Sequence, residues 1–269
     1  MKRASLLWNL PVALLVIASA FPFYWAVVAS LTPEAELFGP PSLFPGTLTL
    51  DHYRALLSER GFFVPLRNSL QVAGLTTALC VPLGSLCAYA LARLRFRGKT
   101  AILAFILAVS MFPQIAIVSP LYLLLRELGL IDTTPGLVLP YLTFALPLTI
   151  WLLNGFFRQL PAELEEAALV DGATRLQAFF TVVLPLARRG FVTAGVLGFA
   201  HTVGEFGVVL MIGGNIPGQT RVVSTQIYGH VEALEYAQAH WLAGAMVLFS
   251  FAVLLGLALL NRRNPRVLQ

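Results

Sequence analysis

Six long apolar stretches divide this chain of 269 residues. They cover residues 6–31, 69–92, 101–125, 136–157, 190–213 and 241–260. Apolar positions in them are near-continuous rather than alternating. Each stretch has the length a helix needs to cross a hydrocarbon layer of about 30 Å. In lipid only helices and closed barrels pair every backbone group, and the lack of alternation selects helices. The pattern predicts an all-α, polytopic membrane protein with six transmembrane helices, built as a single transmembrane domain over 1–269. A cleaved signal peptide is the rival reading of the first stretch. That stretch is too long for a signal core and has no clean small-residue cleavage site, so an uncleaved first span is expected.

The polar segments between these stretches differ in kind. Residues 32–68 hold Pro40-Pro41 and Pro45-Gly46 and predict a long outer loop with one short helix, Asp51–Ser58. Arg93, Arg95, Arg97 and Lys99 form a dense basic turn after the second stretch. Pro113 and Pro120 in the third stretch, and Pro140 and Pro147 in the fourth, predict kinked helices whose freed carbonyls find partners in a bundle. Residues 126–135 predict a short outer loop, and residues 214–240 an outer segment with a polar amphipathic part.

Composition agrees with the pattern: 58% hydrophobic, 12% charged and a mean hydropathy of +0.79. The net charge of +5 does not point to nucleic acid, because the basic residues lie in short loops at membrane edges. Thirteen Lys and Arg fall on the side of both termini and residues 158–189, against five (Arg54, Arg60, Arg67, Arg126 and Arg221) on the other. The positive-inside rule then places both termini in the cytoplasm of a multi-pass protein in the cytoplasmic membrane. Cys80 and Cys87 sit two turns apart, about 10 Å on one helix, too far for a disulfide, and read as small packing residues. No metal-ligand spacing and no nucleophile–base pair is visible, so no catalytic role is expected. There is no G-x-x-x-x-G-K-[ST] cradle for nucleotide phosphates.

One polar stretch stands out, Glu163 to Pro185. Pro161 suits the first turn of a helix. Glu163, Glu165 and Glu166 then lie near the positive end of its dipole. Asp171-Gly172 is a stop that a left-handed glycine accepts, and Thr174 can cap a second helix running towards Pro185. Ala167, Ala168, Gly172 and Ala173 are small enough for another surface to approach the backbone. From these residues alone the stretch is either a docking element or an ordinary helix–turn–helix between spans.

The spacing of Glu166-Ala167-Ala168, Gly172, Val182 and Leu184-Pro185 resembles the cytoplasmic EAA signature loop of the permease subunits of bacterial ABC importers. From about Phe21 to Pro185 the chain resembles the second permease of carbohydrate importers of the maltose and trehalose type. The matching residues include Ser30-Leu31-Thr32, Asn68-Ser69, Ala88-Tyr89-Ala90-Leu91-Ala92-Arg93, Met111-Phe112-Pro113, Leu128 to Thr133 and Phe156 to Pro161. Beyond Pro185 it departs. Gly204-Glu205-Phe206-Gly207 and Gly213 to Arg221, continuing to His240, resemble molybdate-type permeases.

The resemblance implies a permease subunit that forms half of a pore for carbohydrate, with a molybdate or other oxyanion importer as the alternative and a secondary transporter as a remote one. It implies a cytoplasmic coupling helix in which Glu166, Ala167, Ala168, Asp171 and Gly172 dock into a separate ATPase. Arg175, Arg188 and Arg189 are rim contacts or solvated charges. The expected partners are an ATPase dimer, a second permease (homologous or a second copy), an external solute-binding protein and lipid. ATP belongs to the ATPase, with no cofactor on this chain. Asn215, Pro217, Gly218 and Arg221 are either the contact for the binding protein or a structural turn. Glu205 is the one acidic residue well inside a stretch. It lines a pore or gate, or pairs with His201 one turn earlier.

Overall fold

The computed structural model describes residues 2–37, 39–40, 42–44, 46–51, 53–54, 60–213 and 215–262. Among them every regular element is helical: α1 (Lys2–Ser30), α2 (Glu34–Leu37), α3 (Arg60–Arg93), α4 (Lys99–Met111), α5 (Gln114–Glu127), α6 (Thr134–Gln159), α7 (Ala162–Val170), α8 (Arg175–Leu186, with a π-helical turn at Phe179–Val183), α9 (Arg188–Gly204), α10 (Gly207–Ile212), α11 (Val223–Glu232) and α12 (Tyr236–Arg262). Four helices are long and apolar enough to cross a membrane, and six spans result if each of two bent pairs counts as one. The predicted helix Asp51–Ser58 and the end of the tail fall partly outside the described residues.

Three expected stretches differ from the structure. The second does not begin at Ser69. The helix begins at Arg60, so the end of the expected outer loop is helical. Phe62, Phe63, Val64 and Leu66 carry the apolar segment into this part of the helix, and Gly61, Pro65, Arg67 and Asn68 mask it in the sequence. The third stretch is not one continuous helix: it breaks at Phe112–Pro113 into α4 and α5, with a 92° bend. Phe112 is extended (φ −70°, ψ 135°), as a residue before proline prefers. Pro120 lies inside α5 without breaking it. The fifth stretch is interrupted too: α9 ends at Gly204, Glu205 is extended (φ −68°, ψ 134°), and α10 restarts at Gly207.

The chain divides into two compact units, residues 1–63 with 225–252, and residues 64–224 with 253–269. In the first, α1 exposes Leu10, Leu14, Leu15 and Ile17, as a lipid-facing helix would. Its last turn is held differently. The Tyr53 hydroxyl donates to Ser30 Oγ at 2.8 Å, and Gly244 of α12 approaches Ser30 so closely that an added Cβ would lie 2.8 Å away.

In the second unit α6 is the central helix, packed against α9 and α4. The core where α3, α6, α8 and α9 converge holds Tyr89, Leu153, Phe157, Phe179, Val183 and Ala194. Tyr89 and Phe179 meet edge to face at 5.0 Å, a geometry that adds to simple burial. Gly190 brings α9 onto α6, since a Cβ there would meet the Phe156 ring at 2.7 Å. Small residues permit this kind of close helix contact in membranes. Cys80 is buried and Cys87 half-buried, both as free thiols.

Candidate functional site

The polar stretch folds as two short helices joined at Gly172. Pro161 caps α7 rather than opening its first turn, and Glu163 and Glu165 fall in that turn. Asp171 ends the helix. Gly172 follows at φ +90° with open space where a side chain would project, so the backbone angle, not crowding, calls for glycine. The Gly172 and Ala173 amides donate to the Leu169 and Ala168 carbonyls at 3.1 and 3.0 Å. Thr174 then makes a capping box: its amide donates to Gln177 Oε1 at 2.7 Å, and Thr174 Oγ1 accepts from the Gln177 amide. Two orphan donors are satisfied reciprocally.

Of the coupling candidates, Glu166, Ala167, Asp171 and Gly172 are exposed and Ala168 is half-buried. Apolar neighbours share this exposure: Val170 is 86% exposed, with Leu164 and Leu176 also open.

Glu165 points the other way and is buried. The Tyr89 hydroxyl donates to its Oε1. Arg93 Nε lies 3.3 Å from its Oε2, and Arg93 Nη2 donates to the Leu160 carbonyl at 2.7 Å. One arginine therefore holds both sides of the joint between α6 and α7. Sequence reasoning assigned no role to Tyr89 or Arg93. The available signal was their spacing of four, which puts both on one face at the end of a span.

Glu205 sits at the interruption between α9 and α10. Its carboxylate is 3.9 Å from His201 Nε2, with side chains 13% and 48% exposed. Its freed carbonyl accepts from Ser224 Oγ at 2.7 Å and from the Tyr141 hydroxyl at 3.4 Å. The break is thus satisfied within protein, as non-helical backbone at membrane depth requires.

Gly213 and residues 215–222 belong to a tightly bonded turn. Asn215 (φ 45°) and Gly218 (φ 79°) are left-handed. The amides of Gln219, Thr220 and Arg221 all converge on the Ile216 carbonyl at 3.1 Å. Thr220 Oγ1 donates to the Gly213 carbonyl, and Arg221 Nε donates to Asn215 Oδ1 at 3.1 Å. Asn215 and Arg221 therefore shape the loop, while Pro217 and Gly218 are exposed at its tip. Sequence reasoning missed what anchors it. Asn68 Nδ2 donates to the Gln219 and Arg221 carbonyls, each at 2.9 Å, and Ser69 Oγ accepts from the Val223 amide at 2.9 Å.

Residues 80–265 match a family model described as a binding-protein-dependent transport system inner membrane component. The chain is 38% identical to the trehalose transport system permease protein SugB of Mycobacterium tuberculosis, over 91% of this chain and 89% of that one. It is 49% identical to the molybdenum transport system permease protein ModB of Azotobacter vinelandii, over 71% of this chain and 91% of that one. Its fold resembles a solved bacterial ABC transporter involved in import of the acidic polysaccharide alginate, with a TM-score of 0.73 at 19% identity, covering 97% and 96% of the two chains.

Proposed function

The chain belongs to the family of inner membrane components of binding-protein-dependent transport systems and is the permease subunit of an ATP-driven ABC importer; from that premise we propose that its cargo is carbohydrate. The observation that carries this reading is the reach of the SugB similarity, 91% of the chain against 71% for ModB. Import of an oxyanion is the second reading. It is favoured by the higher identity to ModB and by the Gly204-Glu205-Phe206-Gly207 and Asn215-to-Arg221 segments.

In this reading α7 docks on a separate ATPase, which holds the ATP. The exposed Glu166, Ala167, Asp171 and Gly172, with half-buried Ala168 beside them, form the contact, and Val170 adds apolar area. Closure of the ATPase dimer moves α7, and a second permease completes the pore. Both termini and α7 lie in the cytoplasm, in keeping with thirteen Lys and Arg on that side against five. The loop tip at Pro217 and Gly218 meets a loaded solute-binding protein outside. Glu205 and His201 line the pore where the fifth stretch is interrupted.

The test is ATP hydrolysis by the reconstituted complex, stimulated either by a loaded sugar-binding protein or by a loaded molybdate-binding protein. Stimulation by the first is expected. Stimulation by the second alone overturns the carbohydrate reading and assigns partner choice to the loop after Gly213.

A further inference from the structure

Two groups of polar side chains grip one helix, one at its C-terminal end and the other about two turns in from its N-terminal end. At the C-terminal end of α3, Tyr89 and Arg93 hold Glu165 of α7 and the Leu160 carbonyl that closes α6. Nearer the other, Asn68 bonds the Gln219 and Arg221 carbonyls and Ser69 bonds the Val223 amide. At 1.5 Å per residue, Asn68 and Tyr89 are separated by about 32 Å, close to the thickness of the apolar layer. α3 runs between them as one continuous helix.

We propose that α3 is the element joining the coupling helix to the outer loop, with Tyr89, Arg93 and Glu165 as positioning residues at its inner end and Asn68 and Ser69 at its outer end. Only Leu160 and Pro161 separate α6 from α7, and Arg93 bonds the Leu160 carbonyl and pairs with Glu165 beyond them. A displacement of α7 must either separate a largely buried ion pair or carry α3 with it. Separation leaves charges unpaired away from water, which is the costlier course. At the far end the grip is on a loop whose own amides converge on a single carbonyl, so that loop moves as a unit. The consecutive glutamates divide the work: Glu166, exposed, receives the ATPase, and Glu165, buried, passes the displacement inward.

The proposal rests on α7 being the ATPase-docking helix and on the loop at 215–221 facing the binding protein. A double-mutant cycle in the complete reconstituted transporter tests it, read as ATP hydrolysis stimulated by loaded sugar-binding protein and normalised to assembled complex. Glu165→Gln keeps the shape and an acceptor for Tyr89 while removing the charge. Asn68→Ala removes the outer fork. The expected losses are about tenfold and about fivefold, with the double variant no worse than about tenfold, because coupled sites are non-additive. Independent roles multiply to about fiftyfold, and that result overturns the link. Full stimulation in either single variant overturns it as well. If Glu165→Gln does not assemble, Tyr89→Phe enters the same cycle, since it deletes one hydroxyl and keeps the ring packing. Glu166→Ala and Gly172→Leu separate the link from its premise. If they lose stimulation while Glu165→Gln keeps it, only the α3 link fails. If all three keep it, the docking role of α7 fails and the link falls with it.

Discussion

The two ends of α3 are held by different chemistry. At the inner end side chains grip side chains: the Tyr89 phenol, packed against the Phe157 and Phe179 rings, the half-buried Arg93 guanidinium and the buried Glu165 carboxylate. At the outer end side chains grip main-chain atoms: two carbonyls and one amide. The first arrangement depends on the identity of every residue in it. The second asks only that the loop keep its backbone course. That difference explains how a chain resembling sugar permeases up to Pro185 and molybdate permeases beyond it can hold together. Asn68, Ser69 and Tyr141 from the first part meet the second through the backbone of Glu205, Gln219, Arg221 and Val223.

The sharpest way to break this contrast is at the inner end. Glu165→Ala leaves Arg93, whose side chain is 12% exposed, without its counter-charge, a loss of about 3 kcal/mol or more. A fall in Tm of the detergent-solubilised protein checks it, together with reduced yield of assembled complex. The joint replacement Arg93→Met with Glu165→Leu should recover much of the loss, since it removes both charges at once. Equal damage from the single and double replacements would refute the ion pair as the source of the effect.

Gly172 gives the next largest effect, and mainly on function. The open space at its Cβ position means that a side chain fits, but φ +90° costs a bulky residue about 1–2 kcal/mol. Gly172→Leu should therefore still fold and assemble while substrate-stimulated ATP hydrolysis is abolished. Normal stimulation would remove the docking role. At the outer end, Asn68→Ala frees two carbonyls in a partly exposed setting, where water replaces much of the bond. A destabilisation of about 1 kcal/mol is expected, smaller than at Glu165, and the same thermal measurement ranks the two. An equal or larger loss at Asn68 would reverse the contrast between side-chain and main-chain grips.

What the sequence disclosed followed the range of each interaction. Helical class, the stop at Gly172 and the cap at Thr174 are local or compositional, and each was readable from a few neighbouring residues. The extension of α3 to Arg60 was not, because Gly61, Pro65, Arg67 and Asn68 interrupt the apolar run of Phe62, Phe63, Val64 and Leu66 and read as loop residues. The break at Pro113 and continuity at Pro120 look alike in sequence; what separates them is a 92° bend that depends on packing. Glu165 was read only as a dipole-favoured charge. Its partners Tyr89 and Arg93 lie 76 and 72 positions away, beyond any local window. The roles of Asn68 and Ser69 were hidden for the same reason, since their partners are main-chain atoms that carry no sequence signature.

Glu205 yields the smallest expected effect on stability and the most informative contrast with transport. Its distance to His201 is 3.9 Å, and His201 is about half exposed, so their attraction is worth well under about 1 kcal/mol. The break in the helix is held by the Glu205 carbonyl, through Ser224 and Tyr141, and not by the carboxylate. Glu205→Gln keeps that carbonyl and the side-chain shape, gives up only the weak pair with His201, and should leave Tm within about 2 °C. A pore or gate role for the carboxylate then requires that transport change while Tm does not. Substrate uptake into proteoliposomes, measured beside Tm for the same preparation, separates the two. Altered uptake at constant Tm supports the gate, whereas wild-type uptake would reduce Glu205 to the His201 pair. Ser224→Ala is the complement: it withdraws the 2.7 Å bond from the carbonyl and should lower Tm, because the interruption then keeps only the longer 3.4 Å bond from Tyr141.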